Sequence, residues 1–138
     1  MDKYKVILVD DEAEVIDVIE QKIAWNELGF EVVGSATNGV KALELVEKTQ
    51  PDVVITDIKM PYMNGLELTE KARELYPDLE IIIFSGYNDF TYARDALRYG
   101  VVDYVLKPVN PEEFHKTFER VQGKIQSRIE DKEKQTRQ

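Results

Sequence analysis

Residues 6–11 have the sequence VILVDD, a continuous apolar run that ends in two acidic residues. An apolar run of this length without alternating polar positions is typical of a strand buried on both faces. Two further runs have the same form: VVIT at residues 53–56 is followed by Asp57, and IIIF at residues 81–84 is followed by Ser85. Strands buried on both faces predict a parallel sheet that is covered by helices on each side.

The segments between these runs have the spacing of amphipathic helices. Val15, Ile16, Ile19 and Ile23 lie on one stripe of a predicted helix over residues 13–26. The other predicted elements are a strand at 31–36, a helix capped by Thr37 or Asn38 with Val40, Leu43 and Val46 inward, a helix at 66–76, a helix from Asp89 with Phe90, Ala93 and Leu97 on one face, a strand at 101–106 and a helix that begins at Asn110. Strand and helix alternate five times, which predicts an α/β fold: a five-stranded parallel sheet with helices on both faces and right-handed crossovers.

The composition excludes several classes of function. The chain has 138 residues, of which 43% are hydrophobic, and this suits one domain with a hydrophobic core. It has no cysteine, so disulfides and thiolate metal sites are excluded. The formal net charge of −9 argues against direct contact with nucleic-acid phosphates. No apolar run is long enough to cross a membrane and no signal-peptide pattern is present, so we expect a cytoplasmic protein without membrane contact.

Polar residues follow four of the predicted strands, at the point where each strand ends. Asp10 and Asp11 follow the first strand, Asp57 the third, Ser85 the fourth and Lys107 the fifth. Because the carboxyl ends of parallel strands lie at one edge of the sheet, we expect these five side chains to converge there.

This set of side chains indicates phosphoryl chemistry. Three neighbouring carboxylates need a counter-ion, and oxygen ligands without cysteine point to Mg²⁺ or Mn²⁺. A lysine and a hydroxyl would hold the remaining phosphoryl oxygens, with an aspartate as nucleophile. Taken singly, each residue has an ordinary structural role, such as a helix cap, a turn or a surface lysine. The glycine-rich nucleotide motifs GxGxxG and GxxxxGK[ST] are absent from the sequence.

At this point the sequence resembles the response regulator receiver family of bacterial two-component systems, over residues 3–125. The resemblance is carried by ILVDDE at 7–12, TDIKMP at 56–61 with NGL at 64–66, SGY at 85–87 and DYVLKP at 103–108. It implies a flavodoxin-like (βα)5 fold in which Asp57 accepts a phosphoryl group from a phosphohistidine of a sensor histidine kinase. Such a protein is a switch with slow self-dephosphorylation and not an enzyme with turnover.

The resemblance also implies roles for the residues around Asp57. Mg²⁺ would be bound by Asp11, Asp57 and the backbone carbonyl of Lys59, with Asp10 acting largely through water. Lys107 would pair with the phosphoryl group, Ser85 would move toward it, and Tyr104 would turn inward as Ser85 moves. The Lys107–Pro108 peptide bond would be cis, as is usual in the family. Lys59 and Tyr87 lie two residues beyond key positions, and we hypothesise that they tune the lifetime of the phosphoryl group.

Within the family, the sequence is most similar to receivers of AraC-type transcription regulators. The similarity lies in AW at 24–25, SGYNDF at 85–90 and LKPV at 106–109. It implies a receiver over residues 1–125 and, over residues 126–138, a helix extension or linker toward an output domain absent from this chain. DNA would be bound only through that domain. We hypothesise that Tyr92, Ala96 and Tyr99 form a face that contacts a partner or, on phosphorylation, a second copy.

Two alternatives differ from a receiver that controls an attached DNA-binding domain. A stand-alone receiver would pass its phosphoryl group on as a phosphorelay intermediate. A metal-dependent phosphohydrolase would need its nucleophile on the first strand, whereas the best nucleophile here follows the third.

Overall fold

The computed structural model describes residues 3–86 and 103–137. Its centre is a sheet of five parallel strands in the order β2-β1-β3-β4-β5. The strands are β1 (Tyr4–Val9), β2 (Phe30–Ala36), β3 (Val53–Thr56), β4 (Glu80–Ser85) and β5 (Asp103–Leu106). This order is that of flavodoxin-like sheets, so the fold predicted from the sequence is confirmed.

Five helices are described around the sheet. They are α1 (Ala13–Lys22), α2 (Trp25–Leu28), α3 (Gly39–Thr49), α4 (Gly65–Leu75) and α5 (Pro111–Arg137). The predicted helix from Asp89, with Phe90, Ala93 and Leu97, lies outside the described residues, as do Tyr87 and the hypothesised face of Tyr92, Ala96 and Tyr99. In the described part of the chain, no helix combines the length and the apolar character that crossing a membrane requires.

The sheet separates two hydrophobic layers. Alternate residues of β1 point to opposite faces, with Val6 and Leu8 in one layer and Ile7 and Val9 in the other. The first layer contains α1, α2 and the apolar stripe of α5, and the second contains α3 and α4. Both faces of the sheet are therefore covered, which explains why its strands are continuous apolar runs.

Two details of the predicted helices are wrong. The single helix expected over residues 13–26 is two helices, because Ile23 has an extended backbone (φ −98°, ψ 134°) between α1 and α2. The break lets Trp25 pack edge-on against Phe118, with ring centroids 4.9 Å apart. Val40, expected inward, is 42% exposed, whereas Ala42 is fully buried. The buried stripe of α3 runs through Gly39, Ala42 and Val46, and it begins where Gly39 meets the backbone of Met63.

Polar caps begin three of the helices where the sequence predicts them or close by. The side chains of Asn38, Asn64 and Asn110 each accept a hydrogen bond from the backbone N–H three residues later. Asn64 also forms a reciprocal capping box with Glu67. Gly29 ends α2 in the left-handed conformation (φ 82°), which is typical of a glycine after the last turn of a helix. These caps fix where each connection after a strand turns into a helix.

Candidate functional site

The register of the sheet brings the acidic residues of two strands together. Val9 of β1 pairs with Thr56 of β3, so Asp10 and Asp57 leave the sheet side by side. The backbone N–H of Asp57 donates to the carbonyl of Val9 over 2.9 Å, which extends the pairing up to the site. Asp10 is 2% exposed and Asp57 is 7% exposed. Two carboxylates are thus held in nearly water-free positions at the carboxyl edge of the sheet.

Lys107 joins these two carboxylates. Its Nζ lies 2.9 Å from Oδ2 of Asp10 and 3.1 Å from Oδ2 of Asp57. The contact with Asp57 has the geometry of a hydrogen bond donated by the ammonium group. The Lys107–Pro108 bond is cis, as expected from the family resemblance. The lysine predicted from the end of β5 therefore lies between the acids predicted from β1 and β3.

Burial has the largest effect on the pKa of Asp10. Removal from water raises the pKa of its carboxyl group from 3.8 to about 6, although the Glu12 N–H and the Lys107 ammonium stabilise the ionised form. The negative charge of Asp57 adds to the rise. For Lys107 burial lowers the pKa, but hydrogen bonds and charge from Asp10 and Asp57 outweigh burial and leave the pKa raised. Lys107 is therefore a fixed positive charge in the site.

The backbone around Asp57 is also closely held. Oδ1 of Asp57 accepts a hydrogen bond of 2.7 Å from the Ile58 N–H, and the Thr56 hydroxyl donates to the Asp57 carbonyl over 2.8 Å. The Gly65 N–H donates to the Ile58 carbonyl over 2.7 Å. A Cβ at Gly65 would lie 2.1 Å from the Asp57 carbonyl oxygen, so only glycine allows this approach. The start of α4 consequently fixes the backbone that carries Asp57.

A cluster of oxygen ligands lies next to Asp10. One carboxylate oxygen from each of Asp10, Asp11 and Glu12 falls within 4.8 Å of the others, and Asp11 and Glu12 are exposed. The Glu12 N–H donates to Oδ1 of Asp10 over 2.9 Å, and the side chain of Glu12 is exposed. Hard oxygen donors with one open side fit Mg²⁺, which retains several waters and phosphate oxygens as ligands. This group of oxygens is compatible with Mg²⁺. It contains Glu12, which the sequence analysis did not single out, and it does not contain Asp57, which was expected as a ligand.

Ser85 and Tyr104 belong to β4 and β5, the strands that lead to Lys107. Ser85 is the last residue of β4 and is fully buried, and its carbonyl accepts a hydrogen bond of 2.9 Å from the Lys107 N–H. The half-buried Tyr104 donates its hydroxyl to the Gly86 carbonyl over 3.2 Å. Lys59 is exposed, two residues after Asp57. The fold thus brings Asp10, Asp57, Ser85 and Lys107 to one rim, as their strand-end positions predict.

Thr56 and Gly65 contribute to the site without having been singled out from the sequence. Thr56 precedes Asp57 in a buried strand, and its hydroxyl donates a hydrogen bond to the backbone carbonyl of Asp57. Gly65 follows Asn64, and an Asn-Gly pair after a strand indicates a tight connection. That signal predicts a turn, but the close approach to Asp57 depends on the three-dimensional path of residues 58–64.

These features define a class of protein: a doubly wound α/β domain with a buried acid pair, a bridging lysine and a neighbouring cluster of oxygen ligands. Comparison with known proteins gives the family. Residues 6–119 match the response regulator receiver domain, so the chain belongs to the response regulator receiver family. Members of this family are signalling switches and not classical enzymes.

The similar proteins include transcription regulators. The chain is 42% identical over 118 residues to YesN, an uncharacterized transcriptional regulatory protein of Bacillus subtilis, covering 86% of this chain and 32% of the relative. It is 38% identical over 122 residues to the transcriptional regulatory protein HptR of Staphylococcus aureus, covering 88% of this chain and 46% of the relative. The chain thus spans less than half of these regulators.

Solved structures of response regulators are also similar to this chain. The REC domain of AraT, a response regulator from Geobacillus stearothermophilus, is 40% identical with a TM-score of 0.88, over 91% of this chain and 98% of that one. A two-component transcriptional regulator AraC from Clostridium phytofermentans is 32% identical with a TM-score of 0.83, over 91% and 97%. The predicted resemblance to AraC-type receivers is confirmed.

Proposed function

We propose that this chain is a phosphorylation switch in which Asp57 accepts a phosphoryl group from a phosphohistidine of a sensor histidine kinase. The observation that supports this proposal most directly is the set of hydrogen bonds that orient the Asp57 carboxylate. One oxygen is held by the Ile58 N–H and the other by the Lys107 ammonium, at the open edge of the sheet. A carboxylate oriented in this way is a suitable nucleophile for phosphorus.

The transfer exchanges one bond to phosphorus for another. An Asp57 oxygen forms the new P–O bond while the P–N bond to the donor imidazole breaks, and the imidazole nitrogen keeps the electron pair. Charge on the phosphoryl oxygens must be matched by fixed cations, since positioning and electrostatics supply most of the acceleration in phosphoryl transfer. Lys107 is the cation already in place, with its ammonium 3.1 Å from Asp57.

The second cation that we propose is Mg²⁺, with Mn²⁺ as a substitute. Asp11, Asp57 and the backbone carbonyl of Lys59 would hold it, and Asp10 would act largely through water. When bound, the ion supplies positive charge to phosphoryl oxygens and offsets the repulsion between the carboxylates. The carboxylate of Glu12 lies in the same group as those of Asp10 and Asp11, so it can bind a metal-bound water.

Ser85 and Tyr104 are the proposed switch residues. Ser85 would move toward a phosphoryl group on Asp57, and its backbone is already tied to that of Lys107. Tyr104 would turn inward as Ser85 moves and would give up its hydrogen bond to the Gly86 carbonyl. This pair would transmit the modification from the site to the surface around β5.

An apolar groove next to the site supports docking of a kinase. The groove has a volume of about 470 Å³ and is lined by Glu14, Val15, Val18, Phe84, Lys107, Pro108 and Val109. Val18 is 40% exposed in this groove, whereas Ile16 and Ile19 of α1 are buried. Since Lys107 belongs both to this groove and to the site, a helix seated there would present its histidine toward Asp57.

The similarity to transcription regulators supports control of an attached output domain. The chain covers 32% of YesN and 46% of HptR, and both are named transcriptional regulatory proteins. We propose that DNA is bound through such a domain outside this chain, in the cytoplasm, with homodimer formation on phosphorylation. A stand-alone receiver that relays phosphate is the alternative, and the output-domain proposal is preferred because of these relatives.

Incubation with acetyl phosphate tests the chemistry. We expect intact-mass spectrometry to show one added phosphoryl group in the presence of Mg²⁺ and much less in EDTA. Lys107→Met leaves the buried carboxylates of Asp10 and Asp57 without their cation, so its fold is checked by circular dichroism. The folded variant should accept phosphate far more slowly. The proposal fails if the unmodified chain gains no phosphoryl group under conditions where Mg²⁺ is saturating.

A further inference from the structure

The far end of β4 carries a buried acid that the proposed function does not use. Glu80 is the first residue of β4, at the opposite edge of the sheet from Ser85, and it is fully buried. Its Oε1 contacts Nη2 of Arg128, and its Oε2 lies 3.4 Å from Nζ of Lys124. Both cations come from α5, so a charge inside the domain is neutralised by the last helix.

Further polar contacts extend this pairing along α5. Nη1 of Arg128 donates to the Asp78 carbonyl over 2.5 Å, and Nζ of Lys132 donates to Oδ2 of Asp78 over 2.6 Å. On the other side of the helix, the Tyr4 hydroxyl donates to Oε1 of Gln126 over 2.8 Å. These contacts hold α5 over two turns beyond the point where its apolar stripe ends.

Apolar packing contributes less to this part of the helix than to the part before it. The fully packed stripe of α5 ends at Ile125, and the next apolar residue, Ile129, is 39% exposed. Gly123, in the helix interior, weakens the helix relative to alanine, yet a Cβ there would meet nothing within 4 Å. Residues 126–137, here named the distal arm, therefore depend on polar contacts for their position.

We infer that Glu80 and Arg128 form a latch that holds the distal arm against the domain, so that loss of the pair releases the helix beyond the packed Ile125. The latch sets the direction in which the chain leaves the domain. It does not depend on phosphorylation at Asp57, so it can be tested without any phosphodonor.

The energetics of buried ion pairs give the latch a specific signature. Removing one partner leaves the other as an uncompensated buried charge, which is strongly unfavourable. Replacing both partners by apolar residues of similar size is often neutral or favourable. Arg128→Met should therefore release the arm, because the unpaired Glu80 carboxylate then gains by exposure to water. Adding Glu80→Met removes that gain and leaves two apolar side chains that can pack in place of the ion pair, whereas loss of arginine packing alone would not be restored.

Hydrogen–deuterium exchange measures the latch directly. In Arg128→Met we expect amides of the distal arm to exchange about tenfold faster or more, with β1 unchanged. The double variant with Glu80→Met should return them to within about threefold of the unmodified chain. Gly123→Ala should slow exchange in the arm by a few fold, roughly as the helix propensities predict.

Lys116→Met is the matched control, because Lys116 pairs with Glu112 on the same helix at 4.0 Å and both side chains are exposed. It should leave exchange in the arm unchanged. Unchanged exchange in Arg128→Met, or a double variant as exchange-prone as the single one, would overturn the latch. If Arg128→Met unfolds the whole domain, exchange will also be faster in β1. In that case the inference is tested by exchange of the distal arm in the double variant alone.

Discussion

Replacement of Asp10 by asparagine should stabilise the domain at neutral pH in the absence of divalent metal. Asp10 is almost fully buried and lies beside both Lys107 and Asp57. Its raised pKa means that burial and the charge of Asp57 outweigh the attraction of Lys107. Asp10→Asn keeps the shape of the side chain and removes the charge that the fold disfavours.

The expected gain in the free energy of unfolding follows from the raised pKa of Asp10. A rise from 3.8 to about 6 corresponds to roughly 3 kcal/mol, since one pH unit is worth about 1.4 kcal/mol. The folded state holds this proton more tightly than the unfolded chain. The stability contributed by protonated Asp10 is thus fully present below pH 3.8 and is lost as pH rises to about 6. The gain in stability from Asp10→Asn should be near zero at pH 4 and should approach roughly 3 kcal/mol at pH 7.

Urea denaturation of both proteins in EDTA, at several pH values between 4 and 7, measures the difference. Asp11→Asn is the control, because Asp11 is exposed and its loss should change stability by less than about 0.5 kcal/mol. A destabilised Asp10→Asn at pH 7 would refute the reasoning, because it would show that the pair with Lys107 is worth more than burial costs. A gain that is equal at pH 4 and pH 7 would refute its electrostatic origin.

Four further substitutions test the packing and capping of the domain. Gly65→Ala places a Cβ 2.1 Å from the Asp57 carbonyl oxygen. It should cost at least about 2 kcal/mol in thermal or urea unfolding, whereas Gly123→Ala, which meets nothing within 4 Å, should gain up to about 1 kcal/mol. Phe118→Ala removes a fully buried ring and should cost about 3–5 kcal/mol in the same assay. Asn64→Ala removes the cap of α4 and should cost about 1 kcal/mol, with the loss measured by circular dichroism during urea unfolding.

The sequence was sufficient for the fold because the decisive signals are local. The runs at residues 6–9, 53–56 and 81–84 are apolar at every position or nearly so, and only a sheet covered on both faces buries such strands. Parallel strands end at one edge of the sheet, so the polar residues that follow them had to converge. The position of Asp10 beside Asp57 needs only one further fact, the pairing of Val9 with Thr56.

Features that depend on long-range contacts were not predictable in this way. The break at Ile23 accompanies the contact of Trp25 with Phe118, which lies almost a hundred residues later in the chain and leaves no local sign in the sequence. The inward side of α3 is set by Met63 against Gly39, so the helical pattern alone placed Val40 wrongly. The pair of Glu80 and Arg128 could not be predicted either, because a charged residue at the start of a strand carries no local sign of a distant partner.

The central claim is that Asp57 is the residue that takes the phosphoryl group, and its most direct test is to locate the modification. The chain is treated with acetyl phosphate and Mg²⁺, the acyl phosphate is reduced with borohydride, and the peptides are sequenced by tandem mass spectrometry. We expect aspartate 57 to be converted to homoserine, with no conversion at Asp10 or Asp11 and none in Asp57→Asn. Homoserine at another acid, or phosphoryl uptake that persists in Asp57→Asn, would contradict the claim.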